Sequence, residues 1–206
     1  MADLTTLQIC LIALIFVWSG FVRSGLGFGG AVLSLPFLLL VHDAPLFYLP
    51  IISIHLLVFS SITLLRNNAR QPAAYQQRTG EEGETESSVD WRYLKRALLI
   101  MIIPKLIGVF GVITLPGDIM SGVIFLIVAV YSMSYILDKP FVSNSRALDV
   151  VFLMLGGYVS GTSLIGAPLI IAVFAQHVDR NQLRDTLFAL WFVLVAIKLA
   201  AFIAAG

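Results

Sequence analysis

Of 206 residues, 59% are hydrophobic and 12% charged, with a mean hydropathy of +0.95, a composition that excludes an ordinary water-soluble domain. The formal net charge of +1 comes from basic residues scattered between apolar segments, with no basic tract and no aromatic–basic interleaving, so nucleic acid is not an expected partner. Cys10 stands alone, which rules out a disulfide framework and a thiolate metal site.

The N-terminus lacks the basic region of a secretory signal, so the first apolar segment, residues 7–22, is expected to be retained. It runs into a glycine-rich break, Arg23-Ser24-Gly25-Leu26-Gly27-Phe28-Gly29-Gly30, followed by apolar residues 31–41. Spans of membrane length follow at 46–65, 93–115 and 119–137, the last two joined by the tight turn Pro116-Gly117-Asp118. Between the first two of these lies the polar stretch 66–92, with Gly80-Glu81-Glu82-Gly83-Glu84 at its centre, read as a flexible loop that cannot bury enough apolar surface to fold. Trp91 and Tyr93 stand where an interfacial aromatic belt would put them. After the connector 138–146, apolar residues 147–159 meet a second break, Ser160-Gly161-Thr162-Ser163 to Gly166-Ala167-Pro168, then 167–175, polar residues 177–185 and a last span from Thr186.

The pieces beside each break have the wrong length for single crossings. Residues 31–41 as a helix reach only about 16 Å, while 7–41 as one helix would reach about 50 Å, against roughly 30 Å of hydrocarbon. A helical hairpin turning at the glycines resolves both. Charge placement agrees. Hairpins that return to the side they entered put Arg66, Arg70, Arg78, Arg92, Lys95, Arg96, Lys139, Arg146, Arg180 and Arg184 on one side, whereas single crossings would move Arg180 and Arg184 to the other. The positive-inside rule then places the N-terminus outside and 66–92 in the cytoplasm. Three spans separate the hairpins, so the second enters from the opposite face. The expected fold is an all-α integral membrane protein, an inverted repeat with two Gly-broken helical hairpins and about four full spans. Residues 1–206 form one transmembrane domain, 1–137 the first repeat and 138–206 the second.

No nucleophile elbow, zinc-protease motif or phosphate loop is present, and the glycines after Arg23 follow an apolar membrane segment rather than a strand. His42, His55 and His177 show no metal-ligand spacing, so neither metal nor cofactor is expected. His42 and His177 read as interfacial. His55 lies within a span, where structural hydrogen bonding competes with a proton or substrate role. The informative feature is a charge imbalance: Arg23, Lys105 and Lys198 fall inside apolar segments, and no carboxylate does. Cations in hydrocarbon need a partner or water, and a small anionic substrate would supply it. Helices restarting after Gly29-Gly30 and after Gly166 would add free N–H groups, and Ser24, Ser160, Thr162 and Ser163 would add hydroxyls. Against this, Lys198 could snorkel, Lys105 could bond carbonyls freed by Pro104, Arg23 could cap loose carbonyls, and the glycines could simply permit close helix packing. A cation or metal permease is disfavoured by the absence of intramembrane Asp or Glu. A non-transporting membrane scaffold or assembly subunit is the rival from another class.

The paired motifs resemble those of the sulfite exporter TauE/SafE family, bacterial membrane transporters for sulfur-containing anions and related organic acids. Ser24-Gly25-Leu26-Gly27-Phe28-Gly29-Gly30 leading to Pro36 matches the first-half pattern. Ser160-Gly161 and Gly166-Ala167-Pro168 match the second, with alanine replacing one glycine. Val89-Asp90-Trp91-Arg92 and Arg184-Asp185-Thr186 are also similar. The resemblance implies transport of sulfite, a sulfonate or a related organic acid across the bacterial inner membrane, and a substrate-binding role for the matching glycines and proline. Arg23, Lys105 and Lys198 are not part of the family pattern and rest on the charge argument. The resemblance also implies two further spans after Ala205. The second repeat is then incomplete in these 206 residues, as in a short member, a fragment, or half of a symmetric homo-oligomer.

Overall fold

A computed structural model describes residues 4–26, 30–79, 87–139 and 141–205, with the side chains of 23–26, 64, 66–79 and 205 outside the description. Eight helices make up the described chain, which contains no strand: α1 Thr6–Leu26, α2 Gly30–Val41, α3 Pro45–Thr79, α4 Trp91–Thr114, α5 Gly117–Ile136, α6 Arg146–Ser163, α7 Ala167–His177 and α8 Arg180–Ala205. Among the described residues four segments are long and apolar enough to cross a membrane: Pro45–Thr63, Trp91–Thr114, Gly117–Ile136 and Arg180–Ala204. The protein is an all-α membrane protein.

The other four helices form two hairpins. In the first, Gln8 near the start of α1 donates through Nε2 to the Val41 carbonyl at the end of α2, 3.1 Å away, and Ser19 Oγ donates to the Gly30 carbonyl at 3.0 Å. In the second, His177 at the end of α7 lies 2.8 Å from Asp149 in the first turn of α6. Both chains therefore return to the end they left. The hairpins open toward opposite ends of α4. Tyr93, at the start of α4, stacks on His177 of the second hairpin with ring centroids 5.4 Å apart. Just past the end of α4, Gly117 faces Pro45, and Ser121 donates to Asp43 in the loop after the first hairpin.

Local signals explain the helix ends. Asp90 caps α4 by accepting from the Tyr93 N–H at 2.9 Å, and Ser145 caps α6 by accepting from the Leu148 N–H at 3.3 Å. The Asp90 N–H in turn donates to Thr186 Oγ1 at 2.9 Å, tying the start of α4 to α8. Asp90→Ala is expected to cost about 1 kcal/mol of stability, the usual worth of an N-cap, read as a lower midpoint of thermal unfolding in detergent.

Two features differ from the sequence reading. Helix α3 runs past Leu65 to Thr79, so much of the polar stretch begins as helix, consistent with its Ala, Gln and Arg content. The second break is also shorter than its glycine run. α6 stays helical through Gly156, Gly157 and Gly161 to Ser163, and the chain turns only at Leu164, Ile165 and Gly166. Pro168 in the first turn of α7 suits a helix start, where its missing N–H is not needed.

The glycines inside α6 have a packing reason. A Cβ on Gly161 would lie 2.5 Å from the Lys105 carbonyl, and one on Gly157 would lie 2.8 Å from the Met101 carbonyl. Gly108 answers from α4, where a Cβ would meet the Tyr158 carbonyl at 2.4 Å. Backbone touches backbone along this seam, and glycine's cost in a helix is offset by that close approach. Elsewhere the core divides into two apolar clusters. One joins α2, α3 and α5 through residues such as Leu35, Leu49 and Ile124, and the other joins α4, α7 and α8 through Met101, Phe174 and Leu190.

Candidate functional site

The second break carries the most unusual chemistry in the described chain. Leu164 ends α6 in the left-handed conformation, φ 62°, with its N–H on the Ser160 carbonyl at 3.3 Å. The turn leaves the last carbonyls of α6, the negative end of its dipole, inside the protein. Two lysines converge on them. Lys105, from α4, donates through Nζ to the Ser160 carbonyl at 3.2 Å and to Ser160 Oγ at 3.1 Å. Lys198, from α8, donates to the Thr162 carbonyl at 2.9 Å, with its Nζ 5.6 Å from the centre of the Phe202 ring.

Both lysine side chains are 0% exposed. Neither has a carboxylate within ion-pair distance among the described residues. Lys198 therefore does not snorkel, and Lys105 bonds a carbonyl of a different helix rather than one freed by Pro104 beside it. A helix C-terminus presents only about half a negative charge, too little to balance two protonated lysines on one terminal turn. Three donors per ammonium also exceed the bonds made: two at Lys105 and one at Lys198.

Around this pair the structure collects most of the second-half residues expected from sequence. Ser160, Gly161, Thr162 and Ser163 form the final turn of α6 and are buried. The hydroxyls of Thr162 and Ser163 both donate to the Val159 carbonyl at 3.0 Å, so they face outward only as acceptors in this conformation. Gly166 is pressed against α6, where a Cβ would lie 2.3 Å from the Gly156 carbonyl. Pro168 opens α7.

The first-half motif is placed only in part. Gly27 and Gly29 lie outside the described residues. Arg23, Ser24 and Gly25 belong to the last turns of α1, with side chains outside the description. Gly30 is buried at the start of α2, and its carbonyl accepts from both Ser19 and Ser34. Ala31, the next residue, shares one buried cluster with Leu164 and Ile165 of the second break. The two breaks thus approach a common apolar seam. His55 packs between Phe16 and Phe59, with ring centroids 6.0 and 4.6 Å away.

A second polar cluster, at the open end of the α6–α7 hairpin, was invisible to motif reasoning. Its members His177 and Asp149 are 28 positions apart and meet only because the hairpin closes. Ser143 Oγ donates to Asp149 Oδ1 at 2.6 Å, while His177 Nε2 faces Oδ2. Partial burial acts to raise the Asp149 carboxyl, but those two hydrogen bonds and the positive groups nearby outweigh it and hold the carboxyl below its ordinary value. Among the described residues no group of His, Cys, Asp and Glu side chains has the arrangement of a metal site.

The model of the family "Sulfite exporter TauE/SafE" matches residues 11–206. Neither the curated proteins nor the solved structures compared with the chain give a match.

Proposed function

The chain belongs to the sulfite exporter TauE/SafE family of membrane transporters, and from that premise we propose that it moves a small anion, such as sulfite, a sulfonate or a related organic acid, by alternating access around its two hairpins. One observation carries the choice of an anion: Lys105 and Lys198 converge, fully buried, on the last turn of α6 with no carboxylate beside them among the described residues. The substrate completes a charge balance that the described side chains leave open. In this reading the lysines attract the anion. Ser160, Thr162 and Ser163, turned from their internal partners, hydrogen-bond it, and Gly161, Gly166 and Pro168 let the backbone of the break approach. Arg23, Ser24, Gly25, Gly27, Gly29 and Gly30 do the same from the first break.

The topology belongs to the same proposal. The chain lies in the bacterial inner membrane with its N-terminus outside and residues 66–92 cytoplasmic. Residues 1–137 and 138–206 act as inverted repeats. Hairpins that open toward opposite ends of α4 support this arrangement.

The hydrogen bonds of the lysines also favour a second reading, in which they only clamp α4 and α8 to the end of α6 in a scaffold that transports nothing. A thermal-shift screen of the purified protein over small anions separates the two. A bound substrate at 100 times its Kd stabilises the folded state by about 2.7 kcal/mol. The transport reading expects at least one sulfur oxyanion or organic acid to raise the unfolding midpoint, with chloride at equal ionic strength as the control. A flat response across the screen, together with no anion flux in proteoliposomes, would leave the scaffold reading standing.

A further inference from the structure

A cleft of about 470 Å³ opens at the end of the protein where α4 and α6 begin, away from the buried lysines. Its wall includes Tyr93, Arg96 and Ile100 of α4, and Arg146, Val150 and Leu153 of α6. Asp149 and His177 also line it, but both Asp149 carboxylate oxygens are already engaged, by Ser143 and His177. Arg96 and Arg146 are exposed, and neither forms an ion pair with a carboxylate among the described residues. Two guanidinium groups therefore flank the cleft with donors to spare.

What lies beneath each arginine identifies the occupant. On α4, Leu99 and Ile103 follow Arg96 at helical spacing and are 75% and 67% exposed. On α6, Val150 and Met154 follow Arg146 one and two turns on and are 41% and 45% exposed. Each arginine thus heads an apolar stripe on the outer surface of a helix that runs into the membrane. A free anion would use the cationic rim and leave these stripes uncovered. A molecule with a phosphate head and hydrocarbon tails would use both.

We propose that the cleft is a binding site for one anionic phospholipid, its phosphate held between Arg96 and Arg146 and its acyl chains lying along the stripes below. Tyr93, stacked on His177, forms the side wall beside the headgroup. Because Tyr93 belongs to α4 while Asp149 and His177 belong to the second hairpin, a lipid seated there bridges the two.

The test uses the purified full chain in a neutral detergent, titrated with phosphatidylglycerol or phosphatidylcholine and followed by native mass spectrometry. Wild type is expected to retain phosphatidylglycerol in preference to phosphatidylcholine. Arg96→Gln and Arg146→Gln should each reduce that preference about fivefold, the effect of one basic side chain at an anionic lipid surface. Lys95→Gln with Arg180→Gln, which removes two charges outside the cleft lining, should leave it intact. Equal retention of the two lipids by wild type would overturn the proposal, as would an unchanged preference in both single arginine variants. A matching loss in the Lys95/Arg180 control would do so too, since it would show only a general surface-charge effect. Displacement of the lipid by glycerol phosphate at equal concentration would mark the cleft as a site for a free anion instead.

Discussion

Replacing Lys105 and Lys198 together by methionine is expected to reduce anion flux into proteoliposomes at least tenfold while the protein remains inserted and folded. The lysines are 0% exposed and donate to the Ser160 and Thr162 carbonyls. Methionine keeps the length and apolar stem of each side chain but removes the charge. Truncating one partner of a buried, hydrogen-bonded charge pair costs on the order of 2–5 kcal/mol, which is more than tenfold in affinity for a substrate that depends on it. Radiolabelled sulfite uptake measures the effect, with the unfolding midpoint read in parallel. If the midpoint falls but the folded fraction transports as before, the lysines are clamps and the anion lies elsewhere. Lys105→Arg adds a finer test, because the larger planar guanidinium does not fit a site shaped for a compact ammonium.

The second large effect is structural. Gly161→Ala is expected to destabilise the protein by about 1–3 kcal/mol, and Gly161→Val by more, because the added carbon has nowhere to go. Its nearest neighbours would be the Lys105 carbonyl at 2.5 Å and the Gly108 Cα at 3.0 Å, both backbone atoms of α4. A side chain can rotate aside, whereas here two helices must separate along their closest seam. The same shift would move the Lys105 backbone, so flux should fall along with stability. Gly122→Ala on α5 is the matched control. A Cβ there meets nothing within 4 Å, and the change should be neutral or stabilising by up to about 1 kcal/mol. Thermal unfolding in detergent would settle both, and a Gly161→Ala protein as stable as wild type would remove the seam from the account.

The helical spans and the hairpin arrangement were legible because length and hydropathy constrain them strongly. Segments too short to cross and too long to cross once leave few solutions, and the basic residues choose among them. The buried lysines were legible for a similar reason: a cation within hydrocarbon is rare enough to stand out in a single sequence. The glycines were harder. A broken helix and a close helix contact call for the same residue, so the run from Gly156 to Gly166 could not be divided into its parts. The structure divides it: Gly157 and Gly161 meet α4, Gly156 and Gly166 meet each other, and the turn falls on Leu164 to Gly166. Gly108 gave no sign of its part because its partner lies on another helix. Nor could sequence spacing pair Asp149 with His177, which only the closed hairpin brings together. The hydroxyls of Thr162 and Ser163 were expected to face a ligand, yet a serine or threonine in a helix readily bonds the carbonyl a turn back, as both do here.

Leu164 has a consequence of its own. A leucine in the left-handed region costs on the order of 1–3 kcal/mol and persists only where its surroundings impose it. Those surroundings are the cluster that includes Ala31 and Leu38 of the first hairpin. The bend between α6 and α7 is thus held in a strained shape by packing that includes residues of the first hairpin. Loosening that packing is expected to relax the turn and, with it, the carbonyls to which Lys105 and Lys198 donate.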